Sequence, residues 1–142
     1  MKKYLIATHG KLAEGFKSSV NIIAGDYYSS QLNTVTAFLD ASDFTLEIKK
    51  FIDELGEDDQ GIIFTDLFGG SVNQNVTLLK MQSDKDVVVI TGTNLGLLME
   101  IVLNPSDRID PETIANAIEL GKGEITECPK QDLPETSDDD FF

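Results

Sequence analysis

A chain of 142 residues, with 41% apolar and 25% charged residues, has the length and composition of one globular domain. Its formal net charge of −14 disfavours nucleic acid and anionic membrane surfaces as partners, because both carry charge of the same sign. The chain has one cysteine and no apolar run near the ~20 residues of a membrane-spanning helix. We therefore expect a cytoplasmic protein without an intramolecular disulfide.

The first half of the chain alternates between the periodicities of strands and helices. Three runs that are apolar or β-branched have the length of strands. They comprise residues 3–8, 31–38 and 61–65. Residues 11–24 carry Leu12 and further apolar side chains at helical spacing. Ser42 or Asp43 is a suitable N-cap for a second helix, which we predict to end near residue 55.

The second half continues the same alternation. A third helix opens near Ser71, and residues 86–91 form the clearest strand of the chain. Thr93 or Asn94 begins a fourth helix. Asp110, which a proline follows, begins the last helix.

The C-terminal end changes in character. Residues 124–128 fit one further short strand. Residues 131–142 hold five carboxylates and no basic side chain, and such a segment buries too little apolar surface to fold alone. We predict a folded domain over residues 1–130 and a disordered acidic tail, whose two final phenylalanines either dock on the domain or stay free.

Strands that alternate with helices indicate an α/β protein with a parallel sheet. Right-handed crossovers give an open, doubly wound sheet with helices on both faces. The flavodoxin-like order 2-1-3-4 places strands 1 and 3 side by side. A functional cleft in such a sheet lies beyond the carboxyl ends of the strands, where the winding direction changes.

Unusual polar and glycine residues follow the predicted strand ends. The parallel arrangement brings these ends to one edge of the sheet, so we expect the residues to converge. Each of them also has a simpler possible role in a turn or a helix cap. In chain order, the candidates are His9, Gly10, Asp66, Gly69, Gly70, Ser71 and Asn94.

His9 is the only histidine and the best candidate nucleophile. It stands at the head of a predicted helix, where free backbone N–H groups and the helix dipole favour an anion. The alternative is a surface or capping histidine. Asp66 favours catalysis, because a carboxylate on the neighbouring strand end can accept a hydrogen bond from Nδ1 and leave Nε2 free to take a phosphoryl group.

The loop before the third helix suits phosphate oxygens. Gly69 and Gly70 lack bulky side chains, so backbone N–H groups can approach a phosphate, and the hydroxyl of Ser71 adds a donor. Gly10 and Asn94 would complete the wall of the cleft. The alternatives are a plain glycine turn with a serine cap, and a helix cap at Asn94.

The sequence lacks the residues that other kinds of chemistry require. The sequence has no Walker A pattern, no nucleophile-elbow serine and no glycine-rich dinucleotide turn. One histidine and one cysteine make a zinc site improbable, so we expect no metal and no cofactor. A phosphoryl group would therefore come from another phosphoprotein. Docking of that protein needs an exposed rim, for which Leu67 and Phe68 are candidates unless they belong to the core.

Three segments form a specific pattern through their order and separation. They are residues 6–10 (IATHG), 64–75 (FTDLFGGSVNQN) and 92–100 (GTNLGLLME). Together they resemble the mannose-family enzyme IIA of the bacterial phosphoenolpyruvate-dependent sugar phosphotransferase system, over nearly the whole chain except the tail. The resemblance implies that His9 is phosphorylated, that Asp66 orients it and that Ser71 binds the phosphoryl group.

The resemblance also implies partners. The histidine-containing phosphocarrier protein HPr would phosphorylate His9, which would pass the group to a separate IIB component. That component phosphorylates sugar during transport through the membrane components IIC and IID. The family implies a homodimer that exchanges a C-terminal antiparallel strand, here residues 124–128. Val72 stands where many relatives carry proline, and this difference should affect rigidity and not chemistry.

Two other functions stay open. The phosphoryl donor subunit of bacterial dihydroxyacetone kinase has the same fold and a similar histidine, and would serve a kinase instead of a transporter. A non-catalytic flavodoxin-like regulatory module would carry His9 without using it. The sequence does not identify a transported sugar, because a IIA component does not contact it.

Overall fold

The structure is a computed structural model that describes residues 1–128. No helix in this range is long and apolar enough to cross a membrane. All strand pairs are parallel, in the order β2-β1-β3-β4, so the predicted open α/β sheet is confirmed. The elements are β1 Lys2–His9, α1 Leu12–Ala24, α2 Asp26–Ser29, β2 Leu32–Ala37, α3 Phe44–Asp53, β3 Gln60–Thr65, α4 Ser71–Met81, β4 Val87–Ile90, α5 Leu95–Val102 and α6 Pro111–Gly123.

The register of the sheet brings two strand ends together. β1 and β3 pair with Ala7 opposite Thr65, so His9 and Asp66 follow at the same edge on neighbouring strands. On the other side of β1, His9 lies opposite Ala37 at the end of β2. β3 is buried along its full length, as is usual for an inner strand of a parallel sheet.

Alternate side chains of β1 enter two cores on opposite faces of the sheet. Tyr4 and Ile6 pack with side chains of α1, α5 and α6. Leu5 and Ala7 pack with side chains of α3 and α4. Because helices cover both faces, β1 is apolar at consecutive positions, which is the pattern that the sequence shows.

Aspartates cap two of the helices that begin at predicted caps. The Asp43 side chain accepts a hydrogen bond from the backbone N–H of Thr45 at the start of α3. Asp110 does the same for Thr113 in α6, where Pro111 occupies the first helical position. The hydrogen bonds from the backbone and side chain of Thr113 lower the pKa of Asp110.

Several local features of the structure differ from the prediction. α2 is a single turn after Gly25, too short to show hydrophobic periodicity. In α1, Ala13 is fully buried, whereas Leu12, one of the apolar residues at helical spacing, is 47% exposed. β4 is shorter than residues 86–91, because Asp86 and Thr91 lie outside the paired register with β3.

The predicted C-terminal strand is absent from the single chain. α6 runs to Gly123, and residues 124–128 form a turn and irregular backbone. Ile125 is 80% exposed, and a segment without a paired neighbour has no ladder of hydrogen bonds to make it a strand. Exchange of this segment between subunits stays a prediction. The acidic tail, residues 131–142, lies outside the described residues, and the domain boundary at residue 130 also stays a prediction.

Candidate functional site

His9 and Asp66 meet at the carboxyl edge of the sheet, although 57 positions separate them in the sequence. Oδ2 of Asp66 accepts a hydrogen bond from the backbone N–H of His9 at 2.8 Å and another from its Nδ1 at 2.9 Å. An ionised carboxylate only accepts hydrogen bonds, so the proton of a neutral imidazole is assigned to Nδ1. The lone pair of Nε2 is therefore available to an electrophile.

The surroundings of Asp66 keep its carboxylate ionised. Its side chain is 9% exposed, whereas the side chain of His9 is 40% exposed. Burial alone would raise the pKa of Asp66. Hydrogen bonds from the backbone and ring of His9 and from the backbone N–H of Leu67 outweigh burial, so this pKa lies below its ordinary value. The site thus joins a shielded anion to a histidine that a partner can reach.

Ser71 contacts the other nitrogen of the imidazole. Its Oγ lies 3.3 Å from Nε2 of His9, and the hydroxyl is the donor because the ring proton is on Nδ1. Ser71 is also the first residue of α4. The first turn of a helix has N–H groups without intrahelical partners and the positive end of the dipole. An anion bonded to Nε2 would meet the hydroxyl and this helix terminus together.

The two glycines before α4 shape the loop, but their own N–H groups already have partners. Gly69 has a φ of 74°, and its N–H donates to Oδ1 of Asn73 at 3.1 Å. The N–H of Gly70 donates to the carbonyl of Leu67 at 3.0 Å. A Cβ on Gly70 would lie 3.2 Å from Leu67 and 3.6 Å from Cε1 of His9. Glycine at position 70 therefore allows the loop to pass close to Leu67 and His9. The backbone N–H groups that remain available to an anion belong to the first turn of α4 and not to Gly69 or Gly70.

Two buried polar side chains brace the site, and sequence reasoning misses both roles. Nδ2 of Asn73 donates to Oγ1 of Thr65 at 3.2 Å and so ties α4 to the end of β3. Oγ1 of Thr8 accepts the backbone N–H of Ala13 at 2.8 Å and caps α1 from the end of β1. A hydroxyl residue at the end of an apolar strand is the only local signal for Thr8.

The remaining candidates, Gly10 and Asn94, lie in different surroundings. Gly10 has a φ of 56° and donates its N–H to the carbonyl of Ala37 at 2.8 Å, where the chain turns from β1 towards α1. Oδ1 of Asn94 caps α5 by accepting the N–H of Leu97 at 3.0 Å, and its Nδ2 donates to the carbonyl of Gly121 at 2.7 Å. Gly10 therefore lies next to His9 in the chain, whereas the side chain of Asn94 bonds to α5 and α6 instead.

Phe38 is a neighbour of His9 that the sequence does not predict. Its ring stacks on the imidazole, with centroids 5.4 Å apart and an angle of 27° between the planes. Phe38 has a φ of 66°, the only positive φ of a non-glycine residue within residues 1–128. No motif distinguishes this phenylalanine, because its contact arises from the pairing of β2 with β1.

Exposed apolar side chains occupy the loops and helix start that carry the site. Leu67 and Phe68 are 64% and 86% exposed, so they belong to the surface and not to the core. Single exposed apolar residues are ordinary, but a group of them beside a reactive side chain is typical of a docking surface. We call the exposed apolar residues that follow these strand ends the apolar rim: Leu12 at the start of α1, Leu39 after β2, and Leu67 and Phe68 after β3.

Fold and site together define a class: a flavodoxin-like α/β domain with a carboxylate-oriented histidine at the carboxyl edge of its sheet. Within residues 1–128, no group of three or more His, Cys, Asp or Glu side chains could hold a metal ion. Residues 3–118 match the model of the EIIA-man family, the fructose IIA component of the phosphotransferase system (PTS). The chain therefore belongs to this family of PTS IIA components, and the resemblance seen in the sequence is confirmed.

Solved structures of PTS components share the fold. PTS component EIIA from Streptococcus agalactiae superposes with a TM-score of 0.76 at 25% identity, covering 89% of this chain and 97% of that one. The mannose/sorbose specific IIA subunit from Enterococcus faecalis gives 0.74 at 25% identity, covering 96% and 100%. The PTS IIA protein associated with the fucose utilization operon of Streptococcus pneumoniae gives 0.71 at 26% identity, covering 89% and 92%. These similarities support a phosphotransferase role in a sugar phosphotransferase system.

Proposed function

We propose that this chain is a phosphocarrier that accepts a phosphoryl group from phosphorylated HPr on Nε2 of His9 and transfers it to a IIB component. The observation that carries the proposal is the position of the imidazole, with Asp66 at Nδ1 and Ser71 at Nε2. Membership of the PTS IIA family supports the sugar transport role. The geometry supports Nε2 as the reacting atom, because Asp66 occupies Nδ1.

The transfer to His9 forms one phosphorus–nitrogen bond and breaks another. The lone pair of Nε2 attacks the phosphorus of the donor phosphohistidine, and the electron pair of the broken bond returns to the donor nitrogen. Nδ1 keeps its proton, so the ring becomes cationic and the carboxylate of Asp66 stabilises it. In this proposal, the hydroxyl of Ser71 and the first N–H groups of α4 donate hydrogen bonds to the phosphoryl oxygens.

Two partners must reach the same nitrogen in turn. The 40% exposure of His9 and the neighbouring apolar rim suit successive docking of HPr and of a separate IIB chain, which passes the group to sugar at IIC and IID. The net charge of −14 argues against nucleic acid as a partner. In this proposal the protein acts in the cytoplasm as a homodimer that exchanges residues 124–128, as the family resemblance implies.

Mass spectrometry of the full-length protein tests the proposal. After incubation with phosphoenolpyruvate, enzyme I and HPr, we expect one acid-labile phosphoryl group, located on His9. The variant His9→Gln should stay unmodified while it remains folded, because the imidazole is partly exposed and belongs to neither core. An unmodified parent protein would contradict the proposal and favour a non-catalytic regulatory module.

The acceptor distinguishes sugar transport from the dihydroxyacetone kinase alternative. HPr is the donor in both cases, so phosphorylation alone does not separate them. Addition of a IIB component to the isolated phosphoprotein should remove the label from His9, whereas dihydroxyacetone kinase subunits with their substrate should not. If only the dihydroxyacetone kinase subunits removed the phosphoryl group from His9, the protein would be assigned to the kinase system.

A further inference from the structure

The ring of Phe38 covers one face of the His9 imidazole, and the transfer step described above does not use it. The centroids lie 5.4 Å apart, with 27° between the planes. The same phenyl ring meets Phe44 edge to face, with centroids 5.0 Å apart and 62° between the planes. Phe44 is the first residue of α3 and packs against the core on that face of the sheet. A series of contacts therefore connects the core to the imidazole.

The folding of the chain does not explain a phenylalanine at this position. A φ of 66° belongs to the left-handed region, where a Cβ is crowded and glycine or asparagine is usual. Phe38 is 59% exposed, so burial of its apolar surface contributes less than it would in the core. A strained backbone that holds an exposed ring against a reactive side chain indicates a role in the reaction.

The imidazole needs a third contact because Ser71 cannot hold Nε2 while that nitrogen reacts. Nε2 forms the new bond, so the hydroxyl must release it before phosphorus arrives. Of the two hydrogen bonds to the ring, only the one from Nδ1 to Asp66 then remains. A single hydrogen bond allows the imidazole to rotate about it, because χ2 of histidine is a soft torsion. A contact on the face of the ring opposes this rotation.

We infer that Phe38 is a positioning residue that holds the plane of the His9 imidazole while Nε2 accepts and releases a phosphoryl group. The inference rests on the proposed function and deepens it. No bond to Phe38 forms or breaks in the transfer. Its ring also lies within the range of a cation–π contact when phosphorylation makes the imidazole cationic.

Phosphoramidate, a small phosphoryl donor, tests positioning without partner docking. In the full-length protein, Phe38→Leu and Phe38→Gly should each slow phosphorylation of His9 about tenfold, because a loosened imidazole is aligned less often. Leucine keeps a bulky side chain on the strained backbone, and glycine relieves the strain and should fold at least as well. An equal loss of rate in the two variants would show that the aromatic ring, and not the backbone strain, is responsible. Phe38→Tyr should restore the parent rate, and Tyr27→Leu, an exposed aromatic position on α2, is the matched control.

Phosphorylated HPr as the donor separates positioning from docking. Phe38→Leu should lower kcat and leave KM within about twofold, because positioning acts on the transfer step and docking acts on KM. A parent-like rate with phosphoramidate, or a rise in KM alone, would overturn the role of Phe38 and leave the proposed function intact. A parent protein that neither donor phosphorylates would overturn the proposed function and this inference with it.

Discussion

At the scale of single residues, the proposed transfer uses Nε2 of His9 because the hydrogen bond to Asp66 occupies Nδ1. Asp66→Asn should slow phosphoryl transfer by roughly 100-fold or more, because it removes the charge that stabilises the cationic ring and allows an amide to donate to Nδ1. The protein should remain folded, and quenched-flow phosphorylation by HPr measures the rate. Asp53→Asn changes an exposed carboxylate of α3 and should match the parent. Parent-like transfer in Asp66→Asn would defeat the assignment of the orienting group.

Acid should remove the contribution of Asp66 to stability. The pKa of Asp66 is lower in the folded protein than its ordinary value, so the unfolded chain binds the proton first as the pH falls. The contribution is complete above the ordinary carboxyl pKa of about 3.9 and is lost as the pH falls through the lower folded value. Urea unfolding of the parent and Asp66→Asn should therefore show a constant difference in free energy at neutral pH, and a shrinking difference below about pH 4. A difference that grows in acid would contradict the direction of the shift.

At the scale of secondary structure, Thr8 connects β1 to α1. Thr8→Val keeps the shape of the side chain but leaves the N–H of Ala13 buried without its acceptor, so the free energy of unfolding should fall by about 1–3 kcal/mol. Thr8→Ser keeps the hydroxyl and loses one methyl group, which should cost only about 1 kcal/mol. Chemical denaturation of the two variants checks the order. Equal losses would show that the hydroxyl does not stabilise the helix start.

Asn94 joins α5 to α6 and should matter for stability more than for transfer. Asn94→Ala removes the cap to Leu97 and the bond to the carbonyl of Gly121, which should lower the free energy of unfolding by about 1–3 kcal/mol. Asn94→Ser restores an acceptor for the cap and should lose less. Both variants should be phosphorylated on His9 at the parent rate in HPr assays below their unfolding temperatures. A large loss of phosphorylation rate in a folded Asn94→Ser protein would contradict this prediction and indicate that Asn94 contributes to the cleft.

The sequence predicts those element boundaries that have a local signal. β3 is a continuous apolar run because both its faces are buried, and Asp110 with Pro111 encodes the start of α6 in two adjacent residues. α2 has four residues and no such signal. The bond from Asn94 to α6 is also unpredictable, because it depends on how two helices pack and not on either sequence segment.

At the scale of the whole molecule, the parallel strand order assembles the site from distant segments. His9 and Ser71 are 62 positions apart, and their meeting follows from the pairing of β1 with β3, which the alternation of strands and helices predicts. The stack of Phe38 on the imidazole does not follow from topology alone. It requires a left-handed backbone at the end of β2, which no propensity rule assigns to phenylalanine.

Removal of the acidic tail tests whether the domain carries the whole site. The described contacts to His9 come from residues 37–71, so truncation after Lys130 should leave phosphorylation of His9 by HPr at the parent rate. A full-length control in which the five tail carboxylates become amides separates charge from chain length. Slow transfer in the truncated protein alone would make the tail part of the machinery, whereas a change in both proteins would assign the effect to its charge. The residues to change are Asp132, Glu135, Asp138, Asp139 and Asp140.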